Sequence, residues 1–127
     1  MYKLAISTSG EYVSAAIFEE KLLASFVSKT NKGSTGILLN QINELFDKTK
    51  ASRNDLNALY LDVGPGYYTG LRIGLSVSQG LGAVLGIPII PVNGLDALAF
   101  AAHTSHRKIC SLIDIKRNEF AYCEYMP

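Results

Sequence analysis

The sequence predicts an α/β protein whose elements run in the order βββαβαβα and close with a β-hairpin. Three observations carry that prediction. The first 28 residues hold three apolar stretches at hairpin spacing, "YKLAIS", "YVSAAIFE" and "KLLASFVS", separated only by "TSGE" and "EK". Residues 34–50 place Leu38, Ile42, Leu45 and Phe46 on the period of an amphipathic helix. Residues 58–64, "ALYLDVG", are nearly continuous apolar, which suits a strand buried on both faces inside a parallel sheet.

Each remaining element has its own signal. Ser34 or Thr35 is the expected cap of the first helix, and lysines close its last turn. A second helix is expected over residues 69–86 with Thr69 as its cap, then a short strand "PIIPV" at 88–92. A third helix follows at 94–103, capped by Asn93. "KICSLIDI" and "EFAYCEYM" make the closing hairpin. A turn centred between Lys116 and Arg117 would set Cys110 opposite Cys123, both reduced. Residues 4–20 and 111–127 both read strand, polar turn, strand. Either they are a repeat that starts a second copy of the fold, or two hairpins that merely look alike.

Composition bounds the function. The chain has 127 residues, 48% hydrophobic and 18% charged, enough for one domain with a real core. No apolar run reaches the roughly 18 residues of a bilayer span, and Met1 leads straight into a strand without a secretion signal, so a soluble cytoplasmic protein is expected. Twelve basic against eleven acidic residues give a net charge of +1, with no long basic stretch to serve as an electrostatic footprint for nucleic acid.

The stretch "DVGPGYYTGLRIG", residues 62–74, looks like a phosphate-binding loop and fails each test for one. A Walker loop needs GxxxxGK[ST], and no lysine occurs between Lys50 and Arg107. A dinucleotide fingerprint needs GxGxxG, but Gly64, Gly66 and Gly70 are one residue too widely spaced and Pro65 removes a donor. What remains is a strand-to-helix turn. Arg72 in the first helical turn opposes the macrodipole, so it calls for a carboxylate, internal or on a partner, ahead of a bound phosphate.

The helix after this loop repeats small residues at every fourth position: Gly70, Gly74, Ser78, Gly82 and Gly86. Such a row makes a groove for close backbone approach, either to the chain's own sheet or to a second protein. The row drifts about 40° per step, so Gly70, Gly74 and Ser78 share one face and Gly86 leaves it. If the strip is a docking groove, Ser78→Phe should weaken association and spare the fold. His103 and His106 lack the glutamate of a zinc motif and read as capping or solvated residues. Asp62 and Asp114 each close a strand and read as turn-satisfying or exposed acids, with nothing to place them together.

"LAISTS", "GPGYYTGLRIG" with its "SQGL" continuation, and "IDIKRNEFAYCEY" resemble the bacterial tRNA threonylcarbamoyladenosine biosynthesis family TsaB, also called YeaZ. The family pattern runs LAIDT, GPGSFTGLRIG, IDARxxEVY in the same order, and the resemblance covers essentially the whole chain. It implies the actin-like, sugar-kinase-like ATPase fold with a ribonuclease H-like lobe. Residues 1–107 would be the first lobe and 108–127 the start of a truncated second lobe packed on it. It also implies a noncatalytic partner, with no catalytic, cofactor-binding or metal-binding residues. That partner would support a TsaD-like catalytic subunit and a TsaE-like ATPase, form a homodimer when alone, and meet tRNA only through the complex. The family pairs through its first two helices. By position these are residues 34–50 and 69–86, and the implied partner-binding residues are Leu38, Gln41, Ile42, Leu45, Gly70, Arg72, Gly74, Ser78 and Leu81.

Ser7 stands where the family pattern has an aspartate, and Tyr67-Tyr68 replace Ser-Phe. The first change removes a magnesium carboxylate, so neither ATP hydrolysis nor tight nucleotide binding is expected. The alternatives are a small phosphotransferase of the same fold, which would need that carboxylate, and a self-associating structural dimer.

Overall fold

The structure is a computed structural model that describes residues 1–29, 35–102, 104 and 106–127. The strands are β1 (Tyr2–Ser7), β2 (Tyr12–Phe18), β3 (Leu22–Lys29), β4 (Leu56–Asp62), β5 (Ile89–Val92), β6 (Ile109–Asp114) and β7 (Phe120–Tyr125). The helices are α1 (Thr35–Thr49), α2 (Tyr68–Leu85) and α3 (Gly94–Ala101), with a short 3-10 turn at Arg53–Asp55 before β4. The expected order is present throughout. Ser34 and His103 lie outside the described residues, as does the side chain of Thr35.

Five strands form one sheet in the order β3-β2-β1-β4-β5. The meander β1-β2-β3 is antiparallel, while β4 joins β1 in parallel and β5 joins β4 in parallel. Parallel neighbours need crossovers, and α1 and α2 are those crossovers. Strand alternation sends Leu4, Ile6, Val13, Ala15, Ile17, Leu59 and Leu61 to one face, where they are buried with Leu38, Ile42, Leu45 and Phe46 of α1 and Val77 of α2. α1 covers β2 and β3; α2 covers β4 and touches β1 and β5. On the opposite face Ala58 is buried, but Tyr60 is only half-buried beside Phe18, their ring centroids 5.7 Å apart. Strand β4 is therefore an interior strand, between β1 and β5, fully covered on its helix side alone.

Caps follow local chemistry. Asn93 accepts hydrogen bonds from the amides of Leu95 and Asp96 at 2.8 and 3.3 Å, as expected. Gly86 ends α2 in the left-handed region at φ 66°, which is why that glycine leaves the small-residue row. Thr69 does not cap α2. The helix starts one residue earlier, at Tyr68, with Tyr67 in the cap position and no side-chain cap bond, and the Tyr67 amide donates to the Ser9 carbonyl at 2.7 Å.

The β6-β7 hairpin is a separate two-stranded sheet seated on α3. The buried Ser111 hydroxyl donates to the Leu95 carbonyl at 2.9 Å, and the Tyr125 hydroxyl donates to Asp96 at 2.5 Å. That bond to a carboxylate raises the Tyr125 pKa well above the usual phenol value. The register differs from expectation. Ser111 pairs with Cys123, and Cys110 with Glu124, so the cysteines lie on opposite faces of the hairpin as free thiols. The cause is the loop: Lys116, Arg117 and Asn118 are consecutive left-handed residues at φ 64°, 63° and 59°. The turn is centred on Arg117, not between Lys116 and Arg117, and a one-residue shift reverses every facing.

Candidate functional site

Strand β4 ends in Asp62, whose carboxylate organises the loop after it. One oxygen accepts from the Ser7 hydroxyl at 2.8 Å and the Ser9 hydroxyl at 2.6 Å, and the other accepts from the Gly64 amide at 2.8 Å. Gly64 takes φ 93°, a conformation open in practice to glycine alone. Asp62 is thus a turn-satisfying acid, and its partners tie the first hairpin turn to the glycine loop. The Ser7 hydroxyl acts here as a donor to that carboxylate. Asp114 accepts from the Lys116 amide at 2.8 Å, so it also satisfies its own turn.

The two acids nevertheless meet across one hollow of about 420 Å³, lined also by Ser7, Ser9, Tyr67 and Leu98. Only the packing of the hairpin on α3 brings Asp114 there. Both carboxylates already accept hydrogen bonds, and among the described residues no group of three or more His, Cys, Asp or Glu side chains is placed to hold a metal.

The small-residue row of α2 has a definite neighbour. A Cβ on Gly66 would collide with the Ser9 backbone, one on Gly70 with the Thr8 carbonyl, and one on Gly74 with the Thr8 hydroxyl. Thr8 is 2% exposed and donates its hydroxyl to the Gly70 carbonyl. Ser78 is fully buried and its hydroxyl has no partner among the described residues; Gly82 meets Ile89. The strip therefore faces the chain's own sheet and first turn. Thr8 and Ser9 are the site residues that the sequence marks most faintly: two hydroxyl residues at a turn, opposite a row of glycines, are the only sign of that approach.

This corrects most of the expected partner surface. Leu38, Ile42 and Leu45 are core residues at 0 to 3% exposure; Gly70, Gly74 and Ser78 pack inward as above; and Leu81 is half-buried against the same core. The amphipathic pattern that identified α1 marks the face turned to the sheet, so its apolar positions could not also face a partner. Gln41 is half-buried and Arg72 is exposed. The exposed apolar and small positions are Ile37 and Leu39 on α1, and Leu75, Gly80 and Val84 on α2, with Val84 84% exposed.

Arg72 finds no intrachain carboxylate within 4.0 Å among the described residues; its guanidinium lies 5.5 Å from the Tyr68 ring centroid. Lys116, at the tip of the β6-β7 hairpin, stands 5.1 Å over the Tyr67 ring. Between the α2 start and that tip lies a hollow of about 650 Å³.

A meander with two parallel additions, helices packed on one face and a hairpin after the last crossover define a lobe of the actin-like, ribonuclease H-like ATPase fold. The family model that matches residues 23–126 is described as TsaD, tRNA N6-adenosine threonylcarbamoyltransferase. The chain belongs to that family, on its TsaB (YeaZ) branch. It is 31% identical over 125 residues to the TsaB of Buchnera aphidicola subsp. Schizaphis graminum, covering 97% of this chain and 60% of the relative. With the TsaB of Haemophilus influenzae it shares 30% identity, covering 95% of this chain and 52% of the relative. The solved structure of YeaZ from Pseudomonas aeruginosa superposes with a TM-score of 0.88 at 29% identity, over 99% of this chain and 60% of that one. The chain thus spans roughly half to three-fifths of the length of these relatives.

Proposed function

We propose that this chain is a noncatalytic scaffold in the threonylcarbamoyladenosine modification of tRNA, acting in the cytoplasm by docking a TsaD-like catalytic subunit. A TsaE-like ATPase joins that complex, and the docking face pairs with itself when the partner is absent. Residues 1–107 serve as the first lobe and 108–127 as the start of the second. The observation that carries the reading is the outward face of α1 and α2. Ile37 and Leu39 on α1 and Leu75 and Val84 on α2 are each at least 40% exposed and flank the outward sides of their helices, and Gly80 sits in mid-helix beside Val84, where among the described residues an added Cβ would meet nothing within 4 Å. A mid-helix glycine costs about 1 kcal/mol against alanine, and at this position no contact among the described residues offsets it. A partner helix pressed against the outward row would.

The phosphotransferase alternative has less support. Ser7 brings a hydroxyl where magnesium needs a carboxylate, and Asp62 is engaged by three donors. The test is co-purification with the TsaD-like subunit and titration of the two by calorimetry. Val84→Glu buries a charge in the interface if the reading holds, so affinity should fall at least about tenfold, equivalent to 1.4 kcal/mol. The melting temperature of the isolated chain should stay put, because the side chain touches solvent. Wild-type chain that neither binds the subunit nor self-associates would overturn the proposal.

A further inference from the structure

The hollow between the α2 start and the hairpin tip is not used by the docking face, and its lining combines two tyrosines with two basic residues. Its walls are Tyr67, Tyr68 and Thr69 on one side and Lys116, Arg117 and Glu119 on the other. At about 650 Å³ it falls within the roughly 300–1,000 Å³ of small-ligand sites. Lys116 and Arg117 make no ion pair among the described residues, and neither does Arg72, which flanks Tyr68 from the helix side. Two cations of the wall, Lys116 and Arg117, therefore stand with one carboxylate, that of Glu119, and Arg72 lies outside the hollow beside Tyr68. Tyr68 is 69% exposed, so a ring carrying a cation on one side leaves most of its surface to solvent.

Glu119 is the one acid of the hollow's wall, and it forms no ion pair with Lys116 or Arg117 among the described residues. No acidic residue lies in the first turn of α2, and that turn has no side-chain cap. Lys116 and Arg117 are held in place by a constrained turn: the Lys116 amide is bonded to Asp114, and Ile115 and Glu119 close the loop through a backbone bond of 3.2 Å. Cations fixed beside two adjacent aromatic rings combine the two features by which single-stranded nucleic acid is held without sequence preference: stacking on a ring and neutralisation of the phosphate. An acidic peptide would use the cations and leave the rings idle.

We propose that this hollow binds single-stranded RNA, stacking one base on Tyr68 and holding the neighbouring phosphodiester with Lys116 and Arg117. The inference deepens the scaffold reading by giving the chain its own contact with the RNA that the complex modifies. The overall charge of +1 keeps the contact local and weak in the free chain, and it gains strength when the complex holds the RNA at a second point.

The test is fluorescence anisotropy of a short labelled uridine homopolymer titrated with the full chain at three salt concentrations. Lys116→Asn with Arg117→Asn keeps residues that tolerate the left-handed backbone. This double variant should weaken binding roughly tenfold at low salt and shrink the salt slope by about 0.7 for each phosphate no longer neutralised. Tyr68→Leu keeps apolar bulk and removes the ring, so affinity should fall roughly fivefold with the slope unchanged. Both variants should bind the TsaD-like subunit as wild type does, whereas Val84→Glu should lose the subunit and keep the RNA, so the two readings fail separately. RNA affinity unchanged in both variants, or no salt-sensitive RNA binding by wild type, overturns the proposal. Polyglutamate bound in place of RNA also overturns it and assigns the hollow to an acidic protein segment.

Discussion

Two rows of residues run along opposite sides of α2 at the same spacing of four. Gly70, Gly74, Ser78 and Gly82 point inward, and Arg72, Ser76, Gly80 and Val84 point outward, two residues or about 200° away. Both rows contain small residues, yet the causes differ. The inner row is small because Thr8 leaves no space for a Cβ at Gly70 or Gly74 and Ile89 crowds the position at Gly82. The outer row is exposed, and at Gly80 nothing in the chain requires the glycine. A small residue in a helix is therefore evidence of close approach only when the approaching backbone has been found.

The largest expected effect comes from breaking the inner row. Gly70→Val forces a branched side chain into the Thr8 carbonyl, a backbone atom fixed by β1, so destabilisation should reach about 3 kcal/mol or more. Chemical denaturation followed by circular dichroism would show it, and a stable variant would mean that α2 can slide off the first turn. Ser78→Phe should act in the same direction. The residue is fully buried, so a ring there overpacks the core by roughly 1–3 kcal/mol and lowers the melting temperature of the isolated chain. That outcome reverses the expectation drawn from sequence, in which the same change spared the fold and harmed only association.

The outer row should respond oppositely. Gly80→Ala adds a methyl group to open space in a helix interior, which should stabilise the free chain by about 1 kcal/mol. If a partner backbone approaches there, the same methyl group should cost affinity, and the two measurements together sharpen the contrast between the rows. A Gly80→Ala chain that is neither more stable nor weaker in binding would leave the outer glycine without a role.

Element order, the amphipathic face of α1, the Asn93 cap and the end of α2 at Gly86 were all legible from the sequence, because each depends on residues within a turn or two of one another. Asp62 and Asp114 were legible as turn acids for the same reason. Three facts depended on contacts between distant residues. The inward face of α2 was decided by Thr8, 62 residues before Gly70, since a row of small residues does not itself say whether the backbone that approaches it belongs to the chain or to a partner. The hairpin register was decided by three consecutive left-handed residues, none of them glycine, which no local propensity would place together. The meeting of Asp62 with Asp114, and of Tyr67 with Lys116, was decided by Ser111 and Tyr125 fastening the hairpin to α3. Local chemistry determines where an element starts and stops, but which of its faces is covered is settled only when another part of the chain arrives to cover it.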